Sequence, residues 1–274
     1  MAVATVNELG VTGERRGSWR GRLFGAVAGL AALMLLALGS LHGLIGPWVH
    51  SWVASEPGIH YPELHHWHDA QWGALGGILF AGGLLALIHG PRAKPALMQF
   101  LVAGALILAL ADAPFSPAAV ILFVPVGLAL AAYPDKRALR DLSRRGPWSR
   151  PTLALTLAMA LLLAPATVDA LRGQITGAQG DEHVLALHWI TAAALAVTLV
   201  LGGILTATRR PGARPLGILV GLALGYLGAT AVAMPEQPGS WGTLGGALAL
   251  VGGLGFIAIT IAESRRPATR SLPA

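Results

Sequence analysis

With 274 residues, 54% of them hydrophobic and only 12% charged, the chain departs from soluble domains, which carry about 25% charged residues, and reads as a membrane protein. Mean hydropathy is +0.64 and the sequence pI about 10.7, but the cations lie between apolar blocks, which argues for a rim facing anionic lipid rather than for nucleic acid. The sequence holds no cysteine, which excludes disulfides, thiolate catalysis, iron–sulfur clusters and cysteine-ligated zinc.

About 20 apolar residues cross a hydrocarbon core. Eight blocks approach that length: Leu23–Ile45, Ala70–Ile88, Pro95–Ala111, Pro117–Ala132, Thr152–Val168, Val184–Thr206, Pro215–Ala233 and Trp241–Ile261. The third, fourth and fifth are short. All are expected to be helices, since an open sheet edge cannot be satisfied in lipid. The first follows Arg15-Arg16 but is too long for a signal peptide and lacks an Ala-x-Ala site, so it reads as a mature helix. Residues 1–19 are expected to be a disordered cytoplasmic segment, and 267–274 a cytoplasmic tail.

Eight spans place both termini on one side, and the basic residues say which. Arg15, Arg16, Arg20, Arg22, Arg92, Lys94, Lys136, Arg137, Arg140, Arg144, Arg145, Arg150, Arg209, Arg210, Arg214, Arg265, Arg266 and Arg270 fall on the side of the N-terminus; Arg172 alone falls on the other. The positive-inside rule then puts both termini in the cytoplasm. The preference for Arg, Ala and Gly resembles the codon bias of a GC-rich genome, and a bacterial plasma membrane is the expected location.

The second and sixth spans align at an offset of 120. His68 matches His188, Gly82-Gly83 matches Gly202-Gly203, Pro91 matches Pro211, Lys94 matches Arg214 and Pro95 matches Pro215. Upstream, Leu41-His42-Gly43-Leu44-Ile45 resembles Leu171-Arg172-Gly173-Gln174-Ile175 at an offset of 130. Self-similarity in rare residues is what duplication leaves behind. The expected fold is all-α: eight transmembrane helices in two parallel-oriented four-helix repeats, 20–140 and 146–266, related by a pseudo-two-fold along the membrane normal. Small residues four apart (Gly21, Gly25, Gly29; Gly217, Gly221, Gly225; Gly245, Ala249, Gly253) would let helices approach closely, within the chain or across a homodimer.

On this topology His42, His50, His60, His65, His66, His68, His183 and His188 lie at or near the outer face, with Glu56, Glu63, Asp69, Asp112, Asp169, Asp181, Glu182 and Glu236; only His89 lies inside. A helix starting near Pro62 would put His65, His68 and Asp69 on one face. Neutral imidazole with carboxylate suits a transition metal such as zinc or copper. The candidate ligands are His65, His68, His183, His188, Glu63, Asp69 and Asp112, with His183 equivalent to Glu63. Haem b, with His68 and His188 as axial ligands, is the second reading. A third treats the histidines, with Trp48, Trp52, Trp67, Trp72, Trp189 and Trp241, as an interfacial belt.

The span interiors hold almost no ionisable residue, which counts against an ion-coupled transporter but not a passive one. Gln99, Thr156, Thr198 and Tyr226 are expected to serve helix contacts, and Pro114, Pro125 and Pro165 to kink or break helices. No His-Glu-x-x-His, Gly-x-Ser-x-Gly, Walker or dinucleotide pattern is present. A scaffold or accessory subunit of a membrane complex therefore stands as the non-metal alternative.

Because cysteine is absent, single cysteines report topology directly. Glu56→Cys is expected to react with an impermeant maleimide on intact cells, and Ser143→Cys only after lysis; the opposite pattern inverts the orientation.

Overall fold

The computed structural model describes residues 19–53, 66–115, 123–141, 147–177 and 182–264. They form helices α1 (Trp19–Leu35) and α2 (Leu41–Val53), then α3 (His66–Ile88), α4 (Pro95–Asp112), α5 (Phe123–Ala132) and α6 (Lys136–Arg140), then α7 (Arg150–Thr176), α8 (Glu182–Leu185), α9 (His188–Ala207), α10 (Ala213–Ala233) and α11 (Gly242–Ser264). There is no strand among the described residues.

Among the described residues seven helices are long and apolar enough to cross a membrane; they include Trp19–Val49, which runs through α1 into α2. α5 is apolar but short, and residues 116–122 before it lie outside the described residues, as do 1–18 and 265–274. α7 is far longer than its apolar block, because Pro165, Asp169 and Arg172 interrupt the hydropathy pattern without ending the helix. Outward faces carry Leu110, Leu161 and Leu244, each at least 75% exposed; side chains of this kind suit lipid rather than water.

Cations gather at one end. Arg22 and Arg92 share a cleft, Arg20 lies beside Lys136 and Arg137, and Arg209 binds Glu263 at 2.5 Å. There Lys94 Nζ donates to the carbonyls of Ala86 (2.5 Å) and His89 (2.6 Å), serving acceptors left over at the end of α3, and burial pulls its ammonium below the ordinary range. Tyr133 donates to the Pro91 carbonyl at 2.6 Å; burial, with Asp135, pushes its phenol up to about 12, so it remains a neutral donor. His42, His68, His183 and His188 occupy the opposite end.

The small-residue stripes are used within the chain. A Cβ on Gly253 would stand 2.5 Å from the Gly221 carbonyl and 2.6 Å from the Gly225 nitrogen, and one on Gly228 would stand 2.4 Å from the Leu250 nitrogen. Backbone therefore meets backbone along α10 and α11. Gly25 and Gly29 face Ile88 of α3. A further contact, unpredicted from spacing, joins Gly43 of α2 to Gly73 of α3, with an added Cβ on either inside 3 Å of the other's backbone.

Of the interior polar side chains, Gln99 and Tyr226 hydrogen-bond between helices, while the Thr156 and Thr198 hydroxyls bond within their own. Thr156 and Thr198 bond back to carbonyls four residues earlier at 2.8 Å, Gln99 donates to the Leu139 carbonyl at 2.7 Å, and Tyr226 donates to the Gly43 carbonyl at 2.8 Å. Of the prolines, Pro165 is accommodated inside α7 and Pro125 in the first turn of α5. The first span breaks instead at Leu38 and Gly39 (φ +102°), where Trp72 Nε1 donates to the released Leu38 carbonyl at 3.4 Å.

Gly253→Leu should lower stability by about 3 kcal/mol, the upper end of overpacking costs, read as a fall in thermal midpoint in detergent. Gly127→Ala, whose Cβ would meet nothing within 4 Å, should leave it unchanged.

Candidate metal centre

α3 and α9 start at the same end of the molecule. His68 sits in the first turn of α3 and His188 is the first residue of α9. Their rings stack, with centroids 4.7 Å apart and planes 13° from parallel.

A break in the chain brings in the third histidine. The sixth apolar block is not one helix from Val184. Leu187 adopts a left-handed conformation (φ +60°), separating α8 from α9. Such a conformation strains a residue with a Cβ, so the surroundings must hold it. Gln174 of α7 does so from both sides. Its Nε2 donates to the Val184 carbonyl at 3.2 Å, and its Oε1 accepts from the Ile190 N–H at 3.3 Å. The turn folds His183 back against the pair, its ring 5.1 Å from that of His68 and 5.7 Å from that of His188, steeply inclined to both.

One ring nitrogen from each of His68, His183 and His188 lies within 4.8 Å of the other two. Metal–imidazole bonds of about 2.0–2.1 Å would draw such nitrogens about 1 Å closer together. Gln71, one turn along α3, is 3.1 Å from His68 Nδ1 through its Oε1. An amide oxygen can only accept, so in this contact Nδ1 donates and Nε2 is the ring nitrogen whose lone pair is left for a ligand. Trp189 lies flat against His183 (5.4 Å, 27°) and edge-on to His68 (5.1 Å). Gly239 closes over Trp189 with φ +76°, and a Cβ there would come within 2.8 Å of the indole.

The other candidates are placed differently. Asp69 points to His42, 3.7 Å away. Asp112 is buried at the end of α4. Neither belongs to the three-histidine group. Glu63 and His65 lie outside the described residues. Trp67, read from sequence as an interfacial side chain, is fully buried and packs edge-on against Trp241 at 5.2 Å; the belt reading fails for it because its ring fills the protein core.

A cavity of about 290 Å³ adjoins the histidines. His68, Gln71, Trp189, Ser240 and Trp241 line the end nearest them; Leu162, Leu163, Leu195 and Ala196 wall the rest. Gln71 and Gln174 were not anticipated. Gln71 had a readable signal, lying three residues after His68 on the same helical face. Gln174 had none, since its partners are ten and sixteen residues away in sequence.

Comparison with protein families, curated proteins and solved structures finds no match for this chain.

Gln174→Leu would orphan the buried Ile190 N–H, at about 1–3 kcal/mol, and should lower the thermal midpoint, while the Val184 carbonyl keeps the Leu187 N–H at 3.2 Å. Leu187→Gly should hold or raise it, because glycine adopts the left-handed turn without strain.

Proposed function

We propose that the chain is a multi-pass membrane protein that holds one transition-metal ion on His68, His183 and His188, at the end away from the arginine-rich loops. The observation that carries this is the convergence of three imidazole nitrogens from three separate helices. Three imidazoles without thiolate suit zinc or copper, with a fourth position for water, a carboxylate or substrate. The stacked rings of His68 and His188 favour a small ion over haem b: axial ligands reach iron from opposite faces of a porphyrin, and rings in face-to-face contact leave no room for one between them.

The same reading takes α5, with the residues before it, as an eighth span, and the two halves as a duplication. Several contacts support it. α1 packs on α3 and α5 as α7 packs on α9 and α11; α3 meets α10 as α9 meets α4. An added Cβ on Gly43 would strike Asp69, and one on Gly173 would strike Trp189, partners 120 positions apart. On this plan His68 and His188 are equivalent residues facing one another across the pseudo-axis, and His183 is the asymmetric addition that turns a pair into a three-ligand set. Positive-inside sorting then puts the arginine end in the cytoplasm of a bacterial cell and the metal outside.

Purified protein is expected to retain about one equivalent of zinc or copper by elemental analysis, as a single three-ligand site requires. His68→Ala with His188→Ala should abolish it. Gln71→Ala should weaken affinity about 10- to 100-fold, as loss of a ligand's orienting partner does. Metal-free wild-type protein that also fails to bind either ion in titration, or full metal retention in the double variant, overturns the proposal; a Soret band in the purified protein would restore the haem reading.

A further inference from the structure

The cavity beside the histidines lies where two membrane helices part. At the arginine-rich end α7 and α11 are tied together. Ser149 donates to Glu263 at 2.6 Å, Thr152 to the same carboxylate at 3.3 Å, and Leu155 reaches Gly255. Toward the histidine end Leu162, Pro165 and Ala166 of α7 and Gly245 of α11 line the cavity instead. The two helices thus form a wedge, closed at one end and filled by the cavity at the other. Pro165, with no N–H to donate, sits in the wall where they part.

The cavity has a polarity gradient along the membrane normal. From Ala170 back to Leu162 it follows α7 for eight residues, about 12 Å at the helical rise. The Gln71 amide, the Ser240 hydroxyl and His68 sit at the histidine end; Thr167 also lines the cavity, with its hydroxyl bonded back to the Leu163 carbonyl at 2.8 Å, and leucine and alanine make the deeper part. Its volume is at the small end of ligand pockets, enough for one apolar chain but not for a diacyl lipid. Both charges occur at the rim: Asp169 lines it, with Arg172 at 3.9 Å. Paired, they offset one another, so the rim offers no net charge to favour an anionic or a cationic head.

We infer that this cavity binds a single-chain amphiphile with an uncharged oxygen head, a long-chain alcohol or carbonyl compound drawn from the lipid between α7 and α11. The Gln71 amide and the Ser240 hydroxyl donate to the head oxygen, and the chain lies along Leu162 and Leu195. The head then rests against His68, in the neighbourhood of the proposed ion. The inference extends the metal reading by giving that site a substrate class, and its test reads ligand and metal separately.

The test uses full-length protein in nanodiscs with a hexadecanol carrying a diazirine on its chain, illuminated and mapped by peptide mass spectrometry. Crosslinks are expected on residues 162–170 and 239–245, competed by unlabelled hexadecanol. Ala166→Trp, which fills the deeper part, should reduce them about tenfold, a loss of some 1.4 kcal/mol in binding. Leu161→Trp, on the exposed face, should not reduce them. Metal content should be unchanged in both variants. Labelling that unlabelled alcohol fails to compete, that spreads equally to the Leu157 and Leu161 face, or that survives Ala166→Trp would overturn the inference. Stronger labelling by the matching fatty-acid or fatty-amine diazirine would overturn the neutral head. A loss of metal in the histidine variants with alcohol labelling intact would leave the amphiphile site standing on its own; alcohol labelling absent with metal bound would remove the amphiphile site and leave the metal site untouched.

Discussion

Hydrocarbon offers a backbone no hydrogen-bond partner, so every peptide group in the spans must find one inside the protein. That constraint makes the chain helical, and it also controls where the helices can stop being helical. Two internal breaks occur at the histidine end or beside it, and at each a neighbouring side chain serves the released backbone. Trp72 reaches the Leu38 carbonyl. Gln174 serves both the Val184 carbonyl and the Ile190 N–H. The second break is the one that turns His183 toward His68 and His188. The candidate metal centre therefore follows from how a membrane protein satisfies an interrupted helix.

Close helix approach supplies the rest of the frame. Along α10 and α11, and where α2 crosses α3, backbones pack without intervening side chains. This is the packing available when lipid tails are as apolar as the core and association rests on van der Waals contact. It seats α3 against α2, while on α9 Gly202 admits Val220 and Phe100, and Gly203 admits Thr156, against that helix. Tied through Glu263 at the arginine end, α7 and α11 both line the cavity that meets His68.

Parts of this are legible in the sequence. Of the eight hydropathy blocks, seven correspond to helices long and apolar enough to cross a membrane and the fourth only to the short α5; the ends are less exact, and α7 outruns its block because helix geometry tolerates Pro165 and two charged residues near a terminus. The offset of 120 singled out His68 and His188 as partners. The wider ligand set was less well drawn, because spacing on a helix says which face a residue shares but not what that face meets. Asp69 follows His68 directly and yet turns to His42, since adjacent residues on a helix point about 100° apart. Trp67 looked interfacial by type and is core by position.

Composition, block length and the placement of arginine settle by themselves that the chain is helical and apolar enough to cross a membrane several times, because these depend on local transfer energies summed along the chain. The joining of His183 to the histidine pair, the orientation of His68 by Gln71 and the cavity between α7 and α11 were decided only in three dimensions. Each depends on a left-handed turn at a leucine, a buried glutamine or a divergence of two helices, and none of these leaves a periodic or compositional mark, because its energy comes from partners distant in sequence.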